Sequence, residues 1–186
     1  MTFTPISTRC WLLALALLAS GIAWGQAAPA RVEASEPSVK AAFLYKFASY
    51  VEWPEAALGP AESPFVIAVM GAEEVAGELE RIVQGKSIHA HRAAVRRLKE
   101  GASFSGVQML FVGRGQSNIR AILRGAQQLG TLVVTEVERG LELGSAINFV
   151  IADDRVNFEV SVEAAERNGL RISSRMLNVA RRVVSR

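Results

Sequence analysis

Hydrophobic and polar positions along this chain predict an alternation of strands and helices. Continuous apolar runs are typical of strands buried on both faces, and segments with helical spacing connect them. The predicted strands are Phe65–Met70, Ala93–Leu98, Val107–Val112 and Leu132–Val134. The predicted helices are Ala72–Val83 and Ser117–Leu129, the second closed by Gly130. This alternation predicts an α/β fold with a mixed, mainly parallel β-sheet flanked by helices.

The pattern changes towards the C-terminus, where it predicts an antiparallel hairpin and a helix. Ala146–Ile151 and Val156–Val160 are apolar runs joined by a short polar turn. Ser161 is an N-cap for a helix over Val162–Asn168, which Gly169 ends. A last helix is expected to begin at Ser173 or Ser174. Its apolar stripe comprises Met176, Leu177, Ala180, Val183 and Val184, and Arg181, Arg182 and Arg186 suit the negative end of its dipole.

The segment Lys40–Pro54 is the most informative stretch and predicts one amphipathic helix that docks on the core. Its apolar stripe comprises Val39, Phe43, Phe47 and Val51, widened by Ala42 and Tyr50. Pro54 disfavours helical geometry at Trp53, so the helix is expected to end there with a large indole at its tip. Trp53 is either a lid on the core or an exposed binding residue, and the sequence leaves both open.

The first residues have the pattern of a secretory signal peptide. Arg9 precedes the apolar run Trp11–Ile22, which is short for a bilayer span, and Ala23-Trp24-Gly25 supplies small residues for a signal peptidase. We expect residues 1–25 to be removed after Gly25, with an uncleaved anchor as the alternative. Residues 26–38 are rich in alanine and proline and are expected to form a flexible tail, followed by one domain over residues 39–186.

Composition narrows the class of protein. The chain has 186 residues, which suits one domain, and 50% of them are hydrophobic, which suffices for a substantial core. A net charge of +3 does not require a nucleic-acid partner, and no later stretch is long enough to cross a membrane. The single cysteine, Cys10, lies in the leader, so we expect no disulfide in the exported protein.

One loop is a candidate for anion binding. Gly113–Ser117 lies between a strand and a helix, where free backbone N–H groups could hold an anion. It lacks the third glycine of a dinucleotide-binding motif and the Gly-Lys-Ser ending of a P-loop. A simple turn with Ser117 as the N-cap explains it as well.

Two further pairs of residues are candidates for chemistry. His89 and His91 would share one face of a strand and could bind a metal, or they are surface histidines. Asp153 and Asp154 are either paired carboxylates or ordinary turn residues. Because no nucleophile, base or further ligand accompanies either pair, we predict no catalytic residue, no metal and no cofactor.

Two groups of basic residues either form a solvated surface or dock onto an acidic partner or membrane surface. The first group is Arg92, Arg96, Arg97 and Lys99, and the second is Arg171, Arg175, Arg181 and Arg182.

Several segments occur in an order and spacing that match a known family. They are the helix ending in Val51-Glu52-Trp53-Pro54, the strand Phe65–Gly71, the element Gln84–Ile88, the strands Ala93–Leu98 and Val107–Val112, the acidic turn and strand Asp153–Val160, the pair Ala164-Ala165, and the closing segment Gly169–Leu177. Together they cover almost all of the chain after the leader. In this respect the chain resembles the YfiR family of periplasmic regulators.

The resemblance implies a function that composition and spacing do not reveal. It implies a non-enzymatic periplasmic protein that binds the periplasmic sensor domain of a membrane-bound diguanylate cyclase and represses cyclic di-GMP synthesis. Relatives are thought to dimerise, so a homodimer is expected. The chain also departs from the family, whose members often carry cysteine pairs: Phe104-Ser105-Gly106 stands where one cysteine is expected. Redox control is therefore not carried over to this chain.

We expect the partner to be bound by the segment that matches the family best. The candidate contact residues are Phe158, Glu159, Leu170, Arg171, Ile172, Ser173, Arg175, Met176 and Leu177, with Tyr45 and Trp53 as second candidates. The segment mixes apolar, arginine and methionine side chains, as the centres of interfaces do. In the alternative interpretation Leu170, Ile172 and Leu177 simply close the core.

Two rival functions stay open at this stage. One is a small-ligand sensing module that acts on another membrane protein, with its ligand near Gly71 or Gly113–Ser117 at the carboxyl ends of the strands. The other is an exported enzyme of unknown type that uses Asp153 or His89.

Overall fold

A computed structural model of the chain describes residues 34–185, so the expected leader and its cleavage site lie outside the described residues. The helices are α1 (Glu36–Tyr50), α2 (Glu55–Leu58), α3 (Glu73–Val83), α4 (Ile119–Gln127), α5 (Gly140–Leu143), α6 (Val162–Glu166) and α7 (Ser174–Leu177). The strands are β1 (Val51–Glu52), β2 (Phe65–Met70), β3 (Ser87–Ile88), β4 (His91–Leu98), β5 (Met109–Val112), β6 (Leu132–Thr135), β7 (Ile147–Ala152), β8 (Arg155–Ser161), β9 (Arg171–Ile172) and β10 (Arg182–Val184).

Eight of these strands form one mixed sheet in the order β10-β8-β7-β6-β5-β2-β4-β3. The five central strands, β4, β2, β5, β6 and β7, run parallel to one another. The hairpin β7–β8 is antiparallel, as is the short pair β3–β4, whereas β10 runs parallel to β8. The sheet confirms the predicted α/β class, its mainly parallel character and the C-terminal hairpin. Strands β1 and β9 form a separate antiparallel ribbon.

Strand β2 shows why the continuous apolar runs belong to this fold. All six of its residues are buried. Phe65, Ile67 and Val69 join the core cluster that includes buried residues of α1 and α3. The alternate residues Val66, Ala68 and Met70 join the cluster that includes α4. Because successive side chains of a strand point to opposite faces, a strand covered by helices on both faces must be apolar throughout.

Helix α1 begins and ends earlier than predicted. Ser35 is the N-cap, and its side chain accepts a hydrogen bond from the backbone N–H of Ser38 at 3.4 Å. The prediction that residues 26–38 form a flexible tail was therefore wrong for the part from Ser35 onwards. At its C-terminal end α1 stops at Tyr50, because β1 pairs with β9 instead of continuing the helix to Trp53.

The predicted last helix is one short helix followed by a strand. Only Ser174–Leu177 is helical, and the chain then pairs with β8 as β10. Arg181 donates its backbone N–H to the carbonyl oxygen of Phe158 at 2.9 Å, and Val183 lies in register with Val160. The prediction failed because the free edge of the hairpin supplied backbone partners that the local sequence does not reveal. Arg181 and Arg182 consequently do not lie at a helix end.

The ends of other helices differ less from expectation. The Ser161 side chain caps α6, accepting a hydrogen bond from the backbone N–H of Ala164 at 3.2 Å. Helix α4 begins one residue after Asn118, so Ser117 is not its N-cap. Within residues 34–185, no helix combines the length and the apolar character that crossing a membrane requires.

Candidate functional site

A shallow apolar groove follows the outer face of α1. It consists of two depressions with volumes of ≈ 290 Å³ and ≈ 300 Å³, which adjoin at the side chains of Phe43 and Lys46. The described residues that line the first are Phe43, Lys46, Phe47, Tyr50, Phe158, Arg175, Met176 and Val179. Those that line the second are Ala34, Ser38, Val39, Ala42, Phe43 and Lys46. We call the two depressions together the α1 groove.

The groove exists because α1 carries apolar side chains on two faces. Its buried face comprises Lys40, Ala41, Leu44, Phe47 and Ala48. The stripe predicted to dock on the core is different, and of its members only Phe47 and Val51 are buried. Its remaining residues line the α1 groove, with Ala42 and Tyr50 exposed and Val39 and Phe43 half-buried. Apolar residues on the unpacked side of a helix are typical of a surface that binds a partner.

The structure brings part of the predicted contact segment to this groove and places the rest in the core. Phe158, Arg175 and Met176 line the groove. The side chains of Leu170, Met176, Phe158 and Trp53 are buried, Trp53 being 9% exposed. Arg171 and Arg175 are exposed, and the half-buried candidates are Tyr45, Glu159, Ile172, Ser173 and Leu177. The core-closing interpretation thus fits Leu170, while Ile172 and Leu177 pack against the core from its margin.

Trp53 contacts the core and not the groove. Its ring lies edge-on to Phe65 with centroids 4.9 Å apart, and 5.5 Å from the ring of His89. Its indole nitrogen is buried and has no hydrogen-bond partner among the described residues. The structure therefore agrees with the interpretation of Trp53 as a lid on the core.

Four aromatic rings form the floor beneath the groove. Phe43 lies 5.4 Å from Phe158 between ring centroids, and Phe47 lies 4.8 Å from Phe158 and 5.6 Å from Phe149. The contacts of Phe158 with Phe43 and Phe47 are edge-on and the contact of Phe47 with Phe149 is stacked, and both geometries are favourable at these distances. The floor of the groove is therefore a packed aromatic cluster.

Exposed large hydrophobic residues concentrate around the groove. The described residues include five, namely Tyr50, Leu129, Ile151, Val179 and Val183. Tyr50 and Val179 line the groove itself. Ile151 lies in register with Val156, and Val183 with Val160, so both share the sheet face of Phe158. Leu129 alone lies elsewhere, beside a different depression.

The charged side chains that line the groove are cationic. Lys46 and Arg175 are the charged residues among its described lining. Neither has a carboxylate partner within residues 34–185, whereas Arg97, Arg167 and Arg182 do. Arg182 of the second basic group, for example, contacts Glu159 through two hydrogen bonds of 2.9 Å. Lys46 and Arg175 are therefore available to a carboxylate of a partner.

Among the described residues, Arg97 is the member of the first basic group that has carboxylate partners, and Arg96 contacts a backbone carbonyl. Arg97 pairs with Glu80 and Glu73, and these contacts raise the pKa of Arg97 above its ordinary value. Arg96 donates a hydrogen bond to the carbonyl oxygen of Ser105 at 3.0 Å. Arg97 is therefore less available than Lys46 and Arg175 to a carboxylate of a partner.

A crevice separate from the α1 groove, with a volume of ≈ 420 Å³, lies at the carboxyl ends of the parallel strands. Gly71, Arg114 and Glu136, which follow β2, β5 and β6, contribute to its lining. Strand β2 lies between β4 and β5, so the connections from β2 and β5 leave in opposite directions at this point. Ligands of α/β proteins bind in such crevices. The backbones after β2 and β5 approach each other closely at this crevice because residue 113 is glycine. A Cβ on Gly113 would lie 2.3 Å from the carbonyl oxygen of Gly71.

Lys40 reaches from α1 into this crevice, and its ammonium group donates hydrogen bonds to Glu36 and Glu136. Lys40 is 4% exposed. The Arg114 guanidinium lies 3.8 Å from Glu36 and 3.9 Å from Glu136. The hydrogen bond from Lys40, followed by the charges of Lys40 and Arg114, lowers the pKa of Glu36. The sequence analysis missed this cluster, although a lysine beside Ala41 and Leu44 on one helix face was a signal for a buried cation.

The residues proposed for metal binding or catalysis have other roles in the structure. A His89 ring nitrogen lies 2.9 Å from the carbonyl oxygen of Ala48, and one of His91 lies 2.8 Å from that of Ser63. The surface interpretation holds for His89 and was wrong for His91, which is 7% exposed because its ring is paired inside the domain. No three potential metal-binding side chains come together in residues 34–185.

The two aspartates of the hairpin turn also have a structural role. Asp153 and Asp154 have φ angles of 54° and 56° and are exposed. Two successive left-handed residues form the tight turn that antiparallel hairpins prefer, and aspartate tolerates that conformation. The turn interpretation explains both residues.

These observations describe an α/β domain that carries an apolar groove with cationic margins and, at the carboxyl ends of its parallel strands, a crevice with paired charges. The chain belongs to the YfiR/HmsC-like family, whose model matches residues 37–181. The match confirms the resemblance seen in the sequence. Membership points to periplasmic regulation of cyclic di-GMP signalling, to a regulatory and not a catalytic role, and to interaction with a membrane signalling protein.

Proposed function

We propose that this protein binds the periplasmic sensor domain of an inner-membrane diguanylate cyclase and represses synthesis of cyclic di-GMP. Repression requires that the protein bind the inactive state of the cyclase more tightly than the active state. The size of the effect is bounded by that difference in affinity. In this proposal residues 1–25 are a signal peptide, and the rest of the chain acts in the periplasm.

The observation that carries the proposal is the α1 groove beside the C-terminal segment. The groove combines an aromatic floor, exposed Tyr50 and Val179, and the cations Lys46 and Arg175, which have no carboxylate partner among the described residues. Aromatic, aliphatic and arginine side chains without carboxylates are typical of the centre of an interface. We place the contact at the groove and at the neighbouring exposed or half-buried residues of the predicted segment, namely Glu159, Arg171, Ile172, Ser173, Arg175 and Leu177, with Tyr45 at a second position.

Deletion of the gene tests the regulatory role. Cyclic di-GMP and biofilm formation are expected to rise in the deletion strain, and to return to normal when the protein is supplied on a plasmid. A strain that also lacks the partner cyclase is expected to show no rise. Unchanged cyclic di-GMP in the single deletion, with the cyclase intact, contradicts the proposal.

A pair of matched variants tests whether the groove makes the contact. Val179 is 68% exposed in the groove, and Leu129 is 56% exposed away from it. Val179→Asp is expected to abolish repression and to weaken binding of the purified cyclase sensor domain by tenfold or more, because a carboxylate would be buried in an apolar interface. Leu129→Asp is expected to leave both unchanged. Equal effects of the two substitutions would contradict a contact at the groove.

The oligomeric state belongs to the same proposal. We propose a homodimer, as the resemblance implies, and sedimentation equilibrium of the purified protein tests it. A single species with twice the mass of the processed chain supports the dimer. A species of half that mass at micromolar concentration contradicts it.

The crevice at the carboxyl ends of the strands favours one alternative, a module that senses a small ligand. Its location agrees with the predicted ligand site at Gly71 and Gly113–Ser117. Its most buried charges are already paired with each other, which makes it the weaker candidate. A thermal-shift screen of small periplasmic solutes tests it: a ligand that raises the melting temperature of the wild type but not of Arg114→Ala supports a sensor.

A further inference from the structure

The α1 groove also indicates what kind of structural element binds there. This inference rests on the proposed function, in which the cyclase supplies the element. Three properties of the groove bear on it: its length, the groups that line it, and the sign of its charges.

The groove is as long as a helix of several turns. It extends from Ala34, before the first turn of α1, to Tyr50 at the last. Helix α1 has 15 residues, which corresponds to about 22 Å at 1.5 Å per residue. An apolar surface of this length and single direction matches the stripe that an amphipathic helix of about four turns presents.

The lining offers side chains and not a strand edge. The groove is formed by one face of α1 and by residues around α7, and the N–H and C=O groups within a helix are bonded to each other. A segment buried there receives few backbone hydrogen bonds from the groove. Because unpaired backbone groups are costly to bury, the occupant must satisfy its own. A helix does so, whereas an extended peptide does not.

The charges of the groove select the polar margins of that helix. Lys46 lies where the two depressions meet, and Arg175 lines the first. Both lack carboxylate partners among the residues that the structure describes. A helix with glutamate or aspartate beside its apolar stripe gains charge-assisted contacts with them, and one with lysine or arginine there is repelled.

We infer that the α1 groove binds an amphipathic helix of about four turns whose apolar stripe is bordered by carboxylates, and that the cyclase sensor domain presents this helix. The apolar residues of the helix contact Phe43, Tyr50 and Val179, and its carboxylates contact Lys46 and Arg175.

Designed peptides provide the test. The probe is a fluorescein-labelled helical peptide of about 16 residues, with leucines at i, i+3, i+4, i+7 and i+11 and glutamates beside them. Its isomer carries lysines in place of the glutamates. By fluorescence anisotropy, the acidic peptide is expected to bind the purified protein at least tenfold more tightly than the basic one at low salt. The difference is expected to shrink as salt rises to 0.5 M.

Charge reversal in the protein supplies the matched control. Lys46→Glu combined with Arg175→Glu is expected to reverse the preference between the two peptides. Lys99→Glu combined with Arg124→Glu changes the net charge equally at exposed positions outside the groove and is expected to leave the preference intact. Equal binding of the two peptides, or a preference that both double variants alter equally, overturns the inference.

The peptide assay, taken together with binding of the cyclase sensor domain, separates this inference from the proposed function. If the cyclase sensor domain binds and hydrogen exchange protects α1, but neither peptide binds, the helical occupant is wrong while the proposed function stands. If the acidic peptide binds and the sensor domain does not, the groove is supported and the proposed partner is wrong. If Val179→Asp converts a dimer into monomers, a second copy of this chain occupies the groove and the inference is overturned.

Discussion

Lys40 donates a hydrogen bond to the carboxylate of Glu136, which lies 96 residues later in the chain. The contact ties α1 to the end of β6 at the carboxyl edge of the sheet. The side chains of Lys40 and Glu136 are 5% and 9% exposed, so both charges are largely removed from water. A pair of this kind adds little to stability relative to apolar residues, but removing one partner leaves an uncompensated buried charge.

Lys40→Met is therefore expected to destabilise the domain strongly. Methionine matches the length of the lysine stem, so the lost ammonium group dominates the effect. We expect a loss of about 3 kcal/mol in the free energy of unfolding, measured by urea denaturation at pH 7.

The double variant Lys40→Met with Glu136→Gln is the control for this prediction. Because both charges are removed, it is expected to regain much of the lost stability. Arg167→Ala removes an exposed pair with Glu163 and is expected to cost less than about 1 kcal/mol. A cost of Lys40→Met no larger than that of Arg167→Ala contradicts the structural role assigned to Lys40.

Stability is expected to fall in acid through Glu36 and Glu80. Lys40 lowers the pKa of Glu36, and Arg97 lowers that of Glu80, from the ordinary value of 4.5. The unfolded chain therefore binds protons more readily than the folded protein at these sites. Their stabilising contribution is complete above about pH 5 and is lost as the pH falls below 4.5 through the lower folded values.

Urea midpoints between pH 7 and pH 3 test this dependence. The contribution of Glu36 and Glu80 to the urea midpoint is expected to stay constant from pH 7 to about pH 5 and to decline at lower pH. Glu36→Gln is expected to reduce the decline modestly, since its side chain is 46% exposed. A decline of equal size in the variant and the wild type contradicts the contribution of Glu36.

Most of the fold was predictable because its strands are buried on both faces. Phe65–Met70 and Met109–Val112 are apolar throughout, and such a signal does not depend on long-range partners. The last strand was not predictable, because Val183 and Val184 suit a helix as well as a strand. Pairing with β8 decided between them.

The residues that line the α1 groove were predicted in part, and for a related reason, while their role in binding a partner stays a prediction. The stripe of Val39, Ala42, Phe43 and Tyr50 was found from its spacing, but spacing does not say which apolar face of a helix meets the core. The contacts of α1 with α3 buried the other face and left this stripe in the groove. Arg175 was predicted as a contact residue, whereas Lys46 was missed because a single exposed lysine carries no signal in sequence.

Gly140→Ala is expected to destabilise the domain because a buried polar network surrounds this residue. A Cβ there would lie 2.4 Å from both Asn148 Oδ1 and Thr135 Oγ1, which are hydrogen-bonded to each other at 2.7 Å. We expect a cost of about 2 kcal/mol or more by thermal or urea unfolding. Gly77→Ala in α3 is the control, since its Cβ would lie in ordinary contact with Arg97, 3.8 Å from Nη2. It is expected to gain about 0.5–1 kcal/mol, and similar effects of the two substitutions would contradict the packing described here.

Trp53→Phe tests whether Trp53 serves the core or the partner contact. The indole packs on Phe65 and its N–H has no partner among the described residues, so phenylalanine loses ring contacts but no hydrogen bond. We expect a loss of about 1 kcal/mol by urea unfolding monitored by circular dichroism, and no more than a twofold change in affinity for the cyclase sensor domain. Tyr50→Ala, in the groove, is expected to show the opposite pattern, with stability nearly unchanged and affinity reduced tenfold or more. If folded Trp53→Phe protein instead loses affinity as Tyr50→Ala does, the contact includes Trp53 and extends beyond the α1 groove.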